Sequence, residues 1–102
     1  MAHDRLSLQM LFESIIGVGK VYFQPPNNIQ LQYPCIIYDR DNADMKHADN
    51  GLYEYTQRYQ VTVIDRNPDS PFPLQVANLP LCRYDRFFIS DNLNHDVFTL
   101  FF

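Results

Sequence analysis

The chain has 102 residues, 46% of them apolar, with eight Phe, seven Tyr and no Trp, and a formal net charge of −4. That length implies one domain with ample material for a single core. The acidic balance, with Lys and Arg scattered along the chain, argues against a dedicated nucleic-acid binder. The N-terminus lacks the basic flank, long apolar run and small-residue cleavage site of a secretory signal, and no apolar run is long enough to cross a bilayer.

In chain order, Asp4 to Ile16 is predicted as an α-helix, because Leu8, Leu11, Phe12 and Ile15 fall at i, i+3, i+4 and i+7. Asp4 is placed to N-cap it, and Gly17 stands where a left-handed C-terminal residue is wanted. Leu6, Met10 and Ile16 widen the stripe, for a broad core or for a neighbouring subunit. Gly19 to Gln24 reads as a short strand stopped by Pro25-Pro26, and Leu31 to Asp39 as a second strand whose Pro34 marks an edge or a bulge.

Arg40 to Gly51 is the most polar segment, with Asp41, Asp44 and Asp49 alongside Lys46 and His47. Lying between two strong strands, it is either a long hairpin loop or the exposed tip of a long hairpin, and such segments are often functional. Tyr53 to Arg66 alternates, with Tyr53, Tyr55, Gln57, Tyr59, Val61 and Val63 on one side and mainly polar residues on the other. That period of two predicts a long, half-buried strand around which the rest is organised.

Asn67-Pro68 marks a turn. Ser70 as N-cap and Pro71 at the first position then open a helix of two turns that faces Leu74, Ala77 and Val76 inward and ends at Pro80. Leu81 to Ser90 and His95 to Phe102 are predicted as the last strands, joined around Asp91-Asn92-Leu93-Asn94. The final one is apolar on both faces, so it is central in the sheet or covered by another chain. Cys35 and Cys82, without CxxC spacing, read as free thiols acting as small hydrophobes. The expected fold is a single α+β domain in the order α-β-β-β-α-β-β: a mainly antiparallel or mixed sheet of four to five strands, packed by the N-terminal helix and a short second helix.

No catalytic or cofactor motif emerges. His47 and Asp49 near Asp39, Asp41 and Asp44 loosely suggest a cation site, but the spacing fits neither an EF-hand nor an HExxH pattern. His95-Asp96 with Asp91 offers a base and an orienting carboxylate without a nucleophile placed to use them. The Gly residues form no phosphate-cradling loop.

Three phrases are distinctive: Tyr33-Pro34-Cys35-Ile36-Ile37-Tyr38, Val61 to Ser70, and Asp91-Asn92-Leu93-Asn94-His95. With the order of elements around them, nearly the whole chain resembles the tail terminator, or tail completion, proteins at the head–tail junction of long-tailed bacteriophages, the lambda-type terminator family. The resemblance implies a virion protein without catalytic activity or cofactor, assembled in the host cytoplasm. Six copies would form a ring that caps the tail tube, ends its polymerisation and docks to the head connector. An acidic ring suits a channel through which DNA passes without specific binding, since fixed carboxylates repel phosphate. On this reading Arg40, Asp44, Lys46 and His47, with Asp91, Asn92 and His95, are the candidate assembly contacts. A head-closure or adaptor protein one layer higher is the alternative of the same kind. A small α+β metal-binding module or enzyme centred on His47, His95 and the acidic loop, and a single-strand binder stacking bases on the Tyr residues, are the alternatives of other classes.

Overall fold

The structure is a computed structural model that describes the backbone over residues 4–48 and 51–102, and the side chains over 4–43 and 56–102. Helix α1 (Arg5–Ile16) leads into strand β1 (Val21–Phe23), then β2 (Cys35–Ala48) and β3 (Gly51–Asp65). Helix α2 (Phe72–Ala77) and strands β4 (Cys82–Ser90) and β5 (Leu93–Phe101) complete the expected order. The five strands form one mixed sheet, β1-β2-β3-β5-β4, in which only β1 and β2 run parallel. The final strand is thus central, held between β3 and β4, which accounts for its two apolar faces.

Alternation on β3 sorts its side chains as the sequence requires. Tyr59, Val61 and Val63 point to the helices, where they join Leu8, Phe12, Val21, Ile36, Tyr38, Val76, Phe98 and Leu100 in the main core. Ile64 points the other way, into a small second cluster with Cys35 and Leu93. At the centre lies Tyr38, wholly buried, with its ring edge-on to Phe12 at 5.2 Å and to Tyr59 at 5.8 Å. Its hydroxyl accepts from Arg5 Nη1 at 3.1 Å and donates to Gln9 Oε1 at 2.6 Å. A buried phenol needs such partners, because leaving the hydroxyl unpaired costs about 1–3 kcal/mol. These bonds fasten α1 to β2 in addition to its apolar stripe.

Local differences from expectation have identifiable causes. The second strand begins at Cys35 rather than Leu31, because Pro34 has no N–H for a ladder. Asp4 caps α1 by accepting from Ser7 N at 2.7 Å. Gly17 has φ 115° and ψ 152°, a positive-φ exit that is not the left-handed helical conformation. On α2 the cap position belongs to Pro71, while Ser70 Oγ accepts from Phe72 N at 3.4 Å. The inward stripe of α2 is Phe72, Val76 and Leu79, so Leu74 and Ala77 face solvent instead. Spacing of i, i+4, i+7 from Phe72 wins because the Phe ring is the largest apolar group available to bury. Both cysteines are free.

Candidate assembly surfaces

Of the two readings of the polar segment after Asp39, loop or tip of a long hairpin, the structure shows the hairpin, with strand as far as Ala48. β2 continues to Ala48 and pairs with β3 down to Ala48↔Gly51, with residues 49 and 50 outside the described residues. This ladder outruns the rest of the sheet. β1 pairs only with Ile36 to Tyr38, and the pairing of β5 with β3 ends at Arg58↔Phe101. Beyond that level, among the described residues, the hairpin continues by itself as a two-stranded arm, about 20 Å long at ~3.3 Å per residue. A two-stranded ribbon exposes backbone donors and acceptors along both sides.

The root of the arm is a polar clamp. Asp41 is the extra residue where the register shifts between Arg40↔Tyr59 and Asn42↔Arg58, and such a bulge leaves carbonyls off the ladder. The buried Gln57 side chain covers that gap. Its Nε2 donates to Asn42 O at 2.6 Å and to Arg58 O at 2.9 Å, and its Oε1 accepts from Arg40 Nε at 3.1 Å. Arg58 Nε sits 3.1 Å from Asp41 Oδ2. Around them Gln24, Arg40, Asp41, Asn42, Ala43 and Gln57 line an open polar hollow of about 500 Å³. Gln57 lay within the alternation read from the sequence, but only the bulge reveals why an amide belongs there.

The seven candidate contacts do not form one site. Arg40 lies at the root of the arm and is exposed. Asp44, Lys46 and His47 are on its ladder, opposite Thr56, Glu54 and Leu52, with side chains outside the described residues. Asp91 and Asn92 occupy the tight β4–β5 turn with φ 54° and 62°, which gives them a backbone role, since Asp and Asn tolerate positive φ best after Gly. That turn extends the sheet at the end opposite the arm: His95 is level with Ile64, which is level with Cys35 at the start of β2.

The pairing of His95 with Asp96 as base and orienter dissolves in the strand. Neighbours on a strand face opposite sides. His95 stacks on Phe88 at 4.5 Å with Nδ1 3.1 Å from Leu93 O, whereas Asp96 accepts from Tyr84 Oη at 2.8 Å on the helix side. Among the described residues, no three metal-ligating side chains converge.

A further surface went unread in the sequence. β4 is an edge strand, and Arg83 to Ser90 are all exposed, including Tyr84 at 50%, Phe87 at 49% and Ile89 at 65%. Beside it, Pro68, Pro73, Leu74, Ala77, Tyr84 and Phe98 help line an open groove of about 370 Å³ under α2. On α1, Leu6 and Met10 are also exposed, at 63% and 69%. A long apolar edge left bare invites another chain. Comparisons of the chain with protein-family models, with curated protein sequences and with solved structures found no match.

Proposed function

We propose that this chain is a structural protein of a phage virion at the head–tail junction, a tail terminator that works without catalysis as a ring of six identical copies. The observation that supports it most directly is the two-stranded arm projecting past the sheet with both its edges open. Such an arm gains further backbone pairing by reaching a neighbour. Bare Leu6 and Met10 on α1 supply apolar area for the head-to-tail contacts that close a ring. In this mechanism one face of the ring copies the next layer of the tail tube without offering a further polymerising edge, and the other face meets the head connector. DNA passes through the acidic lumen unbound.

The test is to mix the protein with tail tube protein and image the products by electron microscopy. Six-fold rings capping tube ends are the expected outcome. A variant in which residues 45–55 are replaced by a two-residue Asn-Gly turn keeps Asp44 opposite Thr56. It should melt cooperatively but lose at least tenfold in capping. Unaltered protein indifferent to both tube and connector would remove the reading, and preference for the portal-side connector alone would move the chain to the head-closure layer.

A further inference from the structure

The bare β4 edge is not a featureless strand. Its ladder with β5 runs Cys82↔Leu100, Arg83↔Thr99 and Tyr84↔Phe98, then resumes at Arg86↔Val97, Phe87↔Asp96, Phe88↔His95 and Ile89↔Asn94. Asp85 and Arg86 therefore share one rung, a bulge, and their side chains meet at 2.8 Å. Strand alternation on either side of that rung puts Cys82, Tyr84, Phe87 and Ile89 on the helix face, level with Leu100, Phe98, Asp96 and Asn94. Arg83 and Phe88 lie on the other face. About the bulge the strand is a palindrome in character: aromatic, cation or aromatic, and apolar residues recur at equal distances on matching faces.

An antiparallel pair of identical strands related by a two-fold axis must place each residue opposite one on the same face. Without the bulge, an axis between residues 85 and 86 would break that condition, because positions equidistant from it would alternate faces. With Asp85 and Arg86 on one rung the condition holds along the whole strand. We propose that β4 pairs with β4 of a second copy of this chain, antiparallel, with the Asp85–Arg86 rung on the two-fold axis.

In that register Asp85 faces Arg86 of the second copy and Arg86 faces its Asp85, so the opposite charges complement one another twice. Tyr84 meets Phe87 at the mouth of the α2 groove, Arg83 lies against Phe88 as a cation over a ring, and Cys82 meets Ile89. Centring the axis on Phe87 instead sets the charged rung against Phe88 and forfeits the charge pairing between copies, so the bulge favours one register rather than merely roughening the edge. The two sheets join into one of ten strands, five from each copy. The pairing closes after two copies and leaves the arm free, so it stands or falls independently of the ring.

The test is sedimentation across a concentration series. Wild-type protein should pass from one chain of 12.1 kDa to twice that mass. Arg86→Asp and Asp85→Arg each set like charges on the axis and should weaken the dimer at least tenfold, while an equimolar mixture of the two variants should dimerise again. Such rescue cannot come from unfolded chains. In parallel, Ile89→Cys should give a covalent dimer through Cys82 under oxidised glutathione, each new disulfide formed from two thiols as one oxidised glutathione takes up their two electrons and two protons and leaves as two reduced glutathiones. Directly opposed strand residues lie within disulfide reach. Phe88→Cys, on the other face from Cys82, should crosslink at least tenfold more slowly. A wild-type protein monomeric at every concentration, charge variants that dimerise singly, or equal crosslinking at 88 and 89 would each overturn the pairing.

Discussion

Cys35 and Tyr38 show how burial alone sets chemistry at single positions. Enclosure between Ile64 and Leu93 pushes the Cys35 thiol up from 9.0 to about 12, and burial likewise raises Tyr38 above its ordinary value of 10.0, against the pull of Arg5. For both groups the charged form is the deprotonated one, so between pH 9 and about 12 folded Cys35 keeps a proton that the unfolded chain releases, and Tyr38 does the same above pH 10. The Cys35 contribution is intact below pH 9 and that of Tyr38 below pH 10, and each is lost as pH rises beyond that point. Urea midpoints should therefore fall from pH 8 to pH 11, by at most ~1.4 kcal/mol per pH unit per group. Cys35→Ala should lower stability at pH 8 yet make the decline shallower. A midpoint that holds steady or rises with pH would contradict the assignment.

At the scale of elements, what the sequence disclosed was periodicity that points at a core. The run Tyr59, Val61, Val63 and the stripe Leu8, Phe12 carried enough apolar contrast to place β3 and α1, and the two apolar faces of the last strand allowed either a central position or cover by another chain, of which the sheet shows the first. Where contrast was missing, the reading failed or stayed open. Residues 40–48 are polar on both faces, so nothing in their pattern separates a strand from a loop. Leu74 and Val76 on α2 are both apolar, and only the Phe72 anchor decides between them. In β4 the run Phe87, Phe88, Ile89 has the composition of a buried strand and lies exposed, because exposure there follows from sheet order, which a single strand does not encode. The β4–β5 turn was legible as a turn but not as a pair of positive-φ residues. It yields a clean check: Asn92→Gly, at φ 62°, should be neutral or stabilise by up to ~1 kcal/mol, whereas Asn92→Val should cost ~1–2 kcal/mol, since branching at Cβ clashes in that conformation. Thermal melts read both, and a tolerated Val would show that the turn adopts another shape.

The molecule as a whole is drawn out, 52 × 24 × 23 Å with a radius of gyration of 14.7 Å, where a compact chain of this length would have about 13 Å. The excess is the arm, and its root and the β4–β5 turn lie at opposite ends of the sheet. Gln57→Ala strips the clamp from Asn42 O and should cost about 1–3 kcal/mol. Combined with Asn92→Val, it should give a loss equal to the sum of the two within ~0.5 kcal/mol, as measured by denaturant titration, because the sites share no partner. A larger discrepancy would mean that strain runs the length of the sheet. The separation also exceeds the ~10 Å over which charges sense one another at moderate salt. Drift in sequence at one end is therefore invisible to the other, and a lineage can retool what the arm grips while keeping unchanged whatever the turn end holds.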